Sequence, residues 1–78
     1  MNRLVVMFEL KSELMGMVWK IPVAVGQTLS AGDTVAILES MKVEIPIVAP
    51  MACSLVELRV EEGSEIAEGQ TIAILRPT

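Results

Sequence analysis

Apolar residues fall along this chain in short runs rich in Val, Ile and Thr, each broken by Gly or by polar residues. Runs of that length and composition predict β-strands. The clearest unit reads as a strand over Met17–Val25, a turn at Gly26, a short bridge over Thr28–Leu29, a turn at Ala31-Gly32-Asp33 and a strand over Thr34–Glu39. One segment admits a rival reading, because Phe8–Val18 places Leu10, Leu14, Met17 and Val18 near one helical stripe. Gly16 lies inside that segment and counts against a helix, so strand is preferred.

The pattern repeats. Residues 25–38 read VGQTLSAGDTVAIL and residues 62–75 read EGSEIAEGQTIAIL, and a shift of 37 positions superposes them without a gap. Gly26 falls on Gly63, Gly32 on Gly69, Thr34 on Thr71, Ala36 on Ala73, Ile37 on Ile74 and Leu38 on Leu75. The same shift lays Val18-Trp19-Lys20-Ile21 on Leu55-Val56-Glu57-Leu58. Two copies are too few for a solenoid, which needs about three stacked units to bury its faces. Two copies facing each other across a pseudo-two-fold axis can close one core. The expected fold is therefore all-β, a flattened barrel or sandwich of two antiparallel sheets with about four short strands each. No stretch reads as a linker, and residues 1–78 are taken as a single domain.

Between the copies runs Thr34–Val48, a hairpin by its pattern. A two-residue turn at Met41-Lys42 pairs Ser40 with Val43, Glu39 with Glu44, Leu38 with Ile45 and Ala36 with Ile47. Strand alternation then sets Ala36, Leu38, Val43, Ile45 and Ile47 on one face and Ile37, Glu39, Glu44 and Pro46 on the other. A one-residue slip would oppose Leu38 to Glu44, whereas a turn moved back to Ser40-Met41 would keep the faces intact. Tight hairpin turns want positive φ and favour Asn-Gly or another Gly-containing pair, which Met-Lys does not supply. Glu39 and Glu44 would lie opposite each other, a repulsive arrangement. Several local rules broken at one exposed place mark a candidate functional site. Its key side chain is Lys42, held at the end of a stiff lever away from the core.

Composition removes most alternatives. The chain has no His, one Cys and two aromatic side chains, Trp19 and Phe8. Without His it lacks the commonest general base and metal ligand, and Cys53 alone forms neither an internal disulfide nor a structural zinc site. No catalytic residues and no metal ligands are expected, nor an autonomous active site. Cys53 reads as a small buried hydrophobe. The net charge of −4 argues against a nucleic-acid surface. Charges or Gly interrupt every apolar run, so no membrane span is expected. Nor does the start of the chain read as a secretory signal, which makes a cytoplasmic protein the expectation.

Glu39-Ser40-Met41-Lys42-Val43-Glu44, preceded by Gly26 and Gly32-Asp33 and followed by Ala49-Pro50, resembles the biotinyl/lipoyl attachment domain family. The likeness runs from about Leu14 onward and is greatest to biotin carboxyl carrier domains. It implies a turn at Met41-Lys42 and Lys42 as the residue that takes biotin, or alternatively lipoate, through an amide bond. Met41 matches the biotin-type pattern, in which Met precedes the lysine, and no Asp stands there as in lipoyl members. Ser40, Val43, Cys53 and Glu13 depart from the usual Ala, Met, Gly and Pro. The direct run from Trp19 to Gly26 leaves no room for the protruding loop of one subgroup, so the chain is similar to the thumbless carriers.

The resemblance implies a non-enzymatic swinging-arm carrier in an acyl-CoA carboxylase of fatty acid metabolism. Its partners would be a biotin protein ligase, a biotin carboxylase and a carboxyltransferase. Alternatives are a lipoyl carrier of a 2-oxo acid dehydrogenase-type complex and an unmodified adaptor. Met41, Val43, Glu39 and Glu44 are the candidate ligase-recognition residues, although the two glutamates also fit a plain solvated role.

Overall fold

A computed structural model describes residues 6–78. Eight strands follow one another: β1 (Phe8–Lys11), β2 (Gly16–Lys20), β3 (Thr28–Leu29), β4 (Thr34–Ser40), β5 (Val43–Val48), β6 (Cys53–Leu58), β7 (Glu65–Ile66) and β8 (Thr71–Pro77). They form two antiparallel four-stranded sheets, ordered β1-β8-β6-β3 and β5-β4-β2-β7. The 37-residue shift carries β1, β2, β3 and β4 onto β5, β6, β7 and β8, and so carries one sheet order onto the other. The expected all-β architecture is present.

Turn hydrogen bonds obey the same operation. The Gly26 N–H donates to the Leu55 carbonyl at 2.7 Å, and the Gly63 N–H donates to the Val18 carbonyl at 2.7 Å. Both glycines have positive φ, at 94° and 90°, and a Cβ added to either would meet nothing within 4 Å. Conformation, and not space, is what demands Gly there. Side-chain oxygens close the turns in matching places. Gln27 accepts from the Ala24 N–H and Ser64 from the Glu61 N–H, while Asp33 accepts from Ser30 and Gln70 from Ala67.

Two departures from simple alternation shape the core. Pairing slips by one residue at Val35, so Val35 and Ala36 both lie fully buried; Ile72 and Ala73 repeat this in β8. A second slip at Trp19 leaves Trp19 and Lys20 both exposed, with its counterpart at Val56. These bulges explain why strict period-two alternation places too few residues inside. The core draws on both sheets, with Val18, Val35 and Leu38 from one, Leu29, Leu55, Ile72 and Leu75 from the other.

The strand expected over Met17–Val25 ends at Lys20. Beyond the bulge the chain leaves its sheet: Pro22 has no N–H for a ladder, and the Ile21 N–H goes to the Glu62 carboxylate at 2.9 Å. No strand is inserted between β2 and β3. Phe8–Val18 is strand on both sides of a break and not a helix. The break is a turn closed by the buried Ser12 hydroxyl, which donates to the Leu14 carbonyl at 2.6 Å.

Candidate functional site

The β4–β5 hairpin has the register expected of it, with Ser40 opposite Val43, Glu39 opposite Glu44, Leu38 opposite Ile45 and Ala36 opposite Ile47. Its turn falls at Met41-Lys42, so the alternative at Ser40-Met41 is not the one adopted. Both central residues sit in the left-handed region, Met41 at φ 51° and Lys42 at φ 66°. Among the described residues no other non-glycine position has positive φ. That conformation fits the right-handed twist of the arms. It costs on the order of 1–3 kcal/mol per residue, a penalty that Asn-Gly would largely avoid.

The strain is held by what lies behind it. β4 pairs on one side with β5 and on the other with β2, and Leu38 is completely buried two residues before Ser40. Sequence reasoning used Gly16 to argue against a helix and missed its contact with the hairpin. A Cβ on Gly16 would sit 2.8 Å from the Glu39 carbonyl oxygen, closer than such atoms approach in proteins. Gly16 lets β2 run tight against the last turn-ward residues of β4. A glycine inside a strand, the usual mark of close backbone approach, was the available signal.

At the tip Met41 is 93% exposed and Lys42 is exposed. Lys11 pairs with Glu9, and the Lys20 ammonium lies 5.8 Å from the Trp19 ring centroid, but Lys42 makes no ion pair among the described residues. Val43, placed by alternation on the inner face, is 56% exposed because the core does not reach so far along the hairpin. Glu39 and Glu44 are exposed and directly opposed. The structure thus gathers Glu39, Met41, Lys42, Val43 and Glu44 in one small region. Beside it opens a hollow of about 400 Å³ lined by Met15, Gly16, Met17, Glu39, Ser40, Met41, Glu65 and Ile66.

Cys53 takes no part. It is fully buried in β6, where it pairs with Leu29 and Pro77 in the sheet that does not carry the hairpin, and burial raises its thiol pKa above the ordinary 9.0, with the nearby Asp33 charge adding to the effect. A thiol held protonated is a poor nucleophile. What the tip offers is an exposed primary amine on a defined backbone turn, which is suited to acylation by another protein.

A two-fold β-sandwich that presents a lysine from a strained hairpin turn defines a cofactor-attachment domain. The chain belongs to the biotin/lipoyl attachment family: residues 9–75 match the family described as biotin-requiring enzyme. It is 42% identical over 60 residues to the Biotin/lipoyl attachment protein of Bacillus subtilis (strain 168), covering 77% of this chain and 82% of that one. It is 33% identical over 67 residues to the Biotinylated protein TB7.3 homolog of Mycobacterium leprae (strain TN), covering 86% and 94%. Among solved structures, a single-chain, multi-domain long-chain acyl-CoA carboxylase superposes with a TM-score of 0.88 at 26% identity, over 92% of this chain and 7% of that one. The chain is therefore similar to a small part of that enzyme.

Proposed function

We propose that this chain is a biotin carboxyl carrier, loaded on Lys42 by a biotin protein ligase, and that it serves the biotin carboxylase and carboxyltransferase components of a cytoplasmic acyl-CoA carboxylase. The observation that carries this is the turn: Met41 and Lys42 accept positive φ where Gly would be relaxed, and the result is an exposed amine without an ion pair among the described residues. Those features fit an amide-linked cofactor, which needs a reachable nitrogen and room for a long arm. Biotin is favoured over lipoate by Met41 before the lysine and by the absence of Asp at that place. A relative of nearly the same length that is named as biotinylated adds support.

Lys42 attacks an activated acyl group through its nitrogen lone pair, so the loading enzyme must take up the proton that amide formation releases. Acylation removes one positive charge and takes the formal balance from −4 to −5. When attached, biotin supplies the carboxyl-carrying chemistry, charged from bicarbonate with ATP and discharged to an acyl-CoA. The chain's own part is to fix the root of the arm. Leu38, the β2–β4 pairing and the close approach at Gly16 keep Lys42 in one place, so several enzymes can find it, and tethering keeps its local concentration high.

Intact mass after co-expression with a biotin ligase tests the assignment. One biotinyl adduct, lost in Lys42→Arg, is expected; a lipoyl mass, or none at all, would refute it. If the ligase reads the Met41 side chain, Met41→Asp lowers the loaded fraction several-fold while the fold stays intact; unchanged loading would remove Met41 from recognition.

A further inference from the structure

Core positions of the two copies correspond: Val18 with Leu55, Val35 with Ile72, Leu38 with Leu75, all buried. The lining of the hollow beside the hairpin tip does not. Met15, Gly16 and Met17 answer to Ala52, Cys53 and Ser54, Glu39 answers to Arg76, Ser40 to Pro77 and Glu65 to Thr28. The fold is built twice and this lining once, so packing alone does not call for it. Met15 is 71% and Met17 38% exposed, and with Met41 they make one side of the hollow apolar. Glu9, Glu57 and Glu62 hold hydrogen bonds through their carboxylates. Among the described residues the Glu39 and Glu65 carboxylates and the Ser40 hydroxyl hold none, and no cation lines the hollow.

We propose that this hollow is the resting site of the biotin carried on Lys42, an assignment that rests on the carrier function proposed above. The side chains present fit that group. Its ureido ring is neutral, with N–H groups that donate and a carbonyl that accepts; Glu39 and Glu65 accept, and the Ser40 hydroxyl donates. Its thioether ring and aliphatic chain are apolar, and methionines adapt to such a surface. Lys42 directly follows Met41, which lines the hollow. The lysine stem and the acyl chain together form a flexible tether that can turn back over a neighbouring residue. A free ligand would need a more enclosing pocket. A tethered one does not, because a short flexible link gives an effective concentration in the millimolar range, so a site with a Kd of about 1 mM is already half filled. Resting there covers the apolar side of the ring until a partner enzyme draws the arm out.

The test labels the methionine methyl groups with carbon-13 and compares NMR spectra of the biotin-loaded chain, the unloaded chain and Lys42→Gln, which removes the charge without adding an arm. Single leucine substitutions assign the signals. Met15 and Met17 are expected to shift on loading and not in Lys42→Gln, while Met7 and Met51, which do not line the hollow, stay in place. Streptavidin gives a second readout, since it captures only the released arm, at a rate that follows the free fraction. Met17→Ser, which installs the residue of the second copy, and Glu65→Gln should each quicken capture about two- to fivefold. Glu68→Gln, an exposed acid away from the hollow, should leave it unchanged. Met15 and Met17 signals that stay put on loading, or capture no faster in Met17→Ser and Glu65→Gln than in the wild type, overturn the resting site and leave the carrier function standing. An effect of Glu68→Gln equal to that of Glu65→Gln does the same. A wild-type chain that never takes biotin overturns the carrier function and the resting site together.

Discussion

Leu38 and Leu75 stand 37 residues apart in sequence and are equally buried in one core; two residues onward the copies part company. After Leu38 the chain reaches Ser40, turns through Met41 and Lys42 at positive φ, and returns as β5. After Leu75 it runs through Arg76 and Pro77 along β6, where Cys53 faces Pro77. Gly16 and Cys53 are the corresponding residues behind these two ends. A Cβ is excluded at Gly16 by the Glu39 carbonyl and is present at Cys53. One architecture therefore supports a relaxed end and a strained one. The strained end is the one that bears the exposed amine, which is where local stability is given up for presentation.

The shared part of the comparison predicts the largest effects. Leu38→Ala and Leu75→Ala should each cost about 2–5 kcal/mol, and by similar amounts, because both leave cavities in one core. Denaturant unfolding measures this, and a markedly unequal pair would break the equivalence of the copies. Next, Gly16→Ala should cost about 1–3 kcal/mol, since a backbone oxygen must move, and should lower loading of Lys42. Cys53→Ala should cost roughly 1 kcal/mol and leave loading unchanged.

Smaller effects sharpen the contrast. Met41→Asn keeps the amine while easing the first left-handed residue, and should stabilise by about 1 kcal/mol, or roughly 4–8 °C in Tm for a domain of this size. No gain in Tm would mean that the turn is not strained. The smallest effect is at the other end. The Cys53 thiol has a pKa raised in the folded chain, so its contribution to stability is complete below the unfolded value near 9.0 and is lost as pH rises through the higher folded value. Thermal melts should therefore fall more steeply in the wild type than in Cys53→Ala as pH rises above about 9.0.

The hairpin register was legible because Leu38, Ile45 and Ile47 agree on one face and a slip would set Leu38 against Glu44. Two-fold packing was legible because a repeat of 37 residues with two copies has few ways to close a core. The bulges at Trp19 and Val35 were not, since an inserted residue breaks period-two alternation without changing composition. For the same reason the strand expected to reach Val25 stops at Lys20. Lys42 stood out by breaking turn preferences, but the methionines beside it did not: in a strand, Met15 and Met17 read as ordinary apolar residues until their exposure is known.

Peptide mapping by mass spectrometry of the chain isolated after loading puts the central claim to its most direct test. A single acyl adduct is predicted, on the peptide containing Lys42, with Lys11 and Lys20 unmodified. An adduct on either of those two lysines, or loading that survives Lys42→Arg, would contradict it.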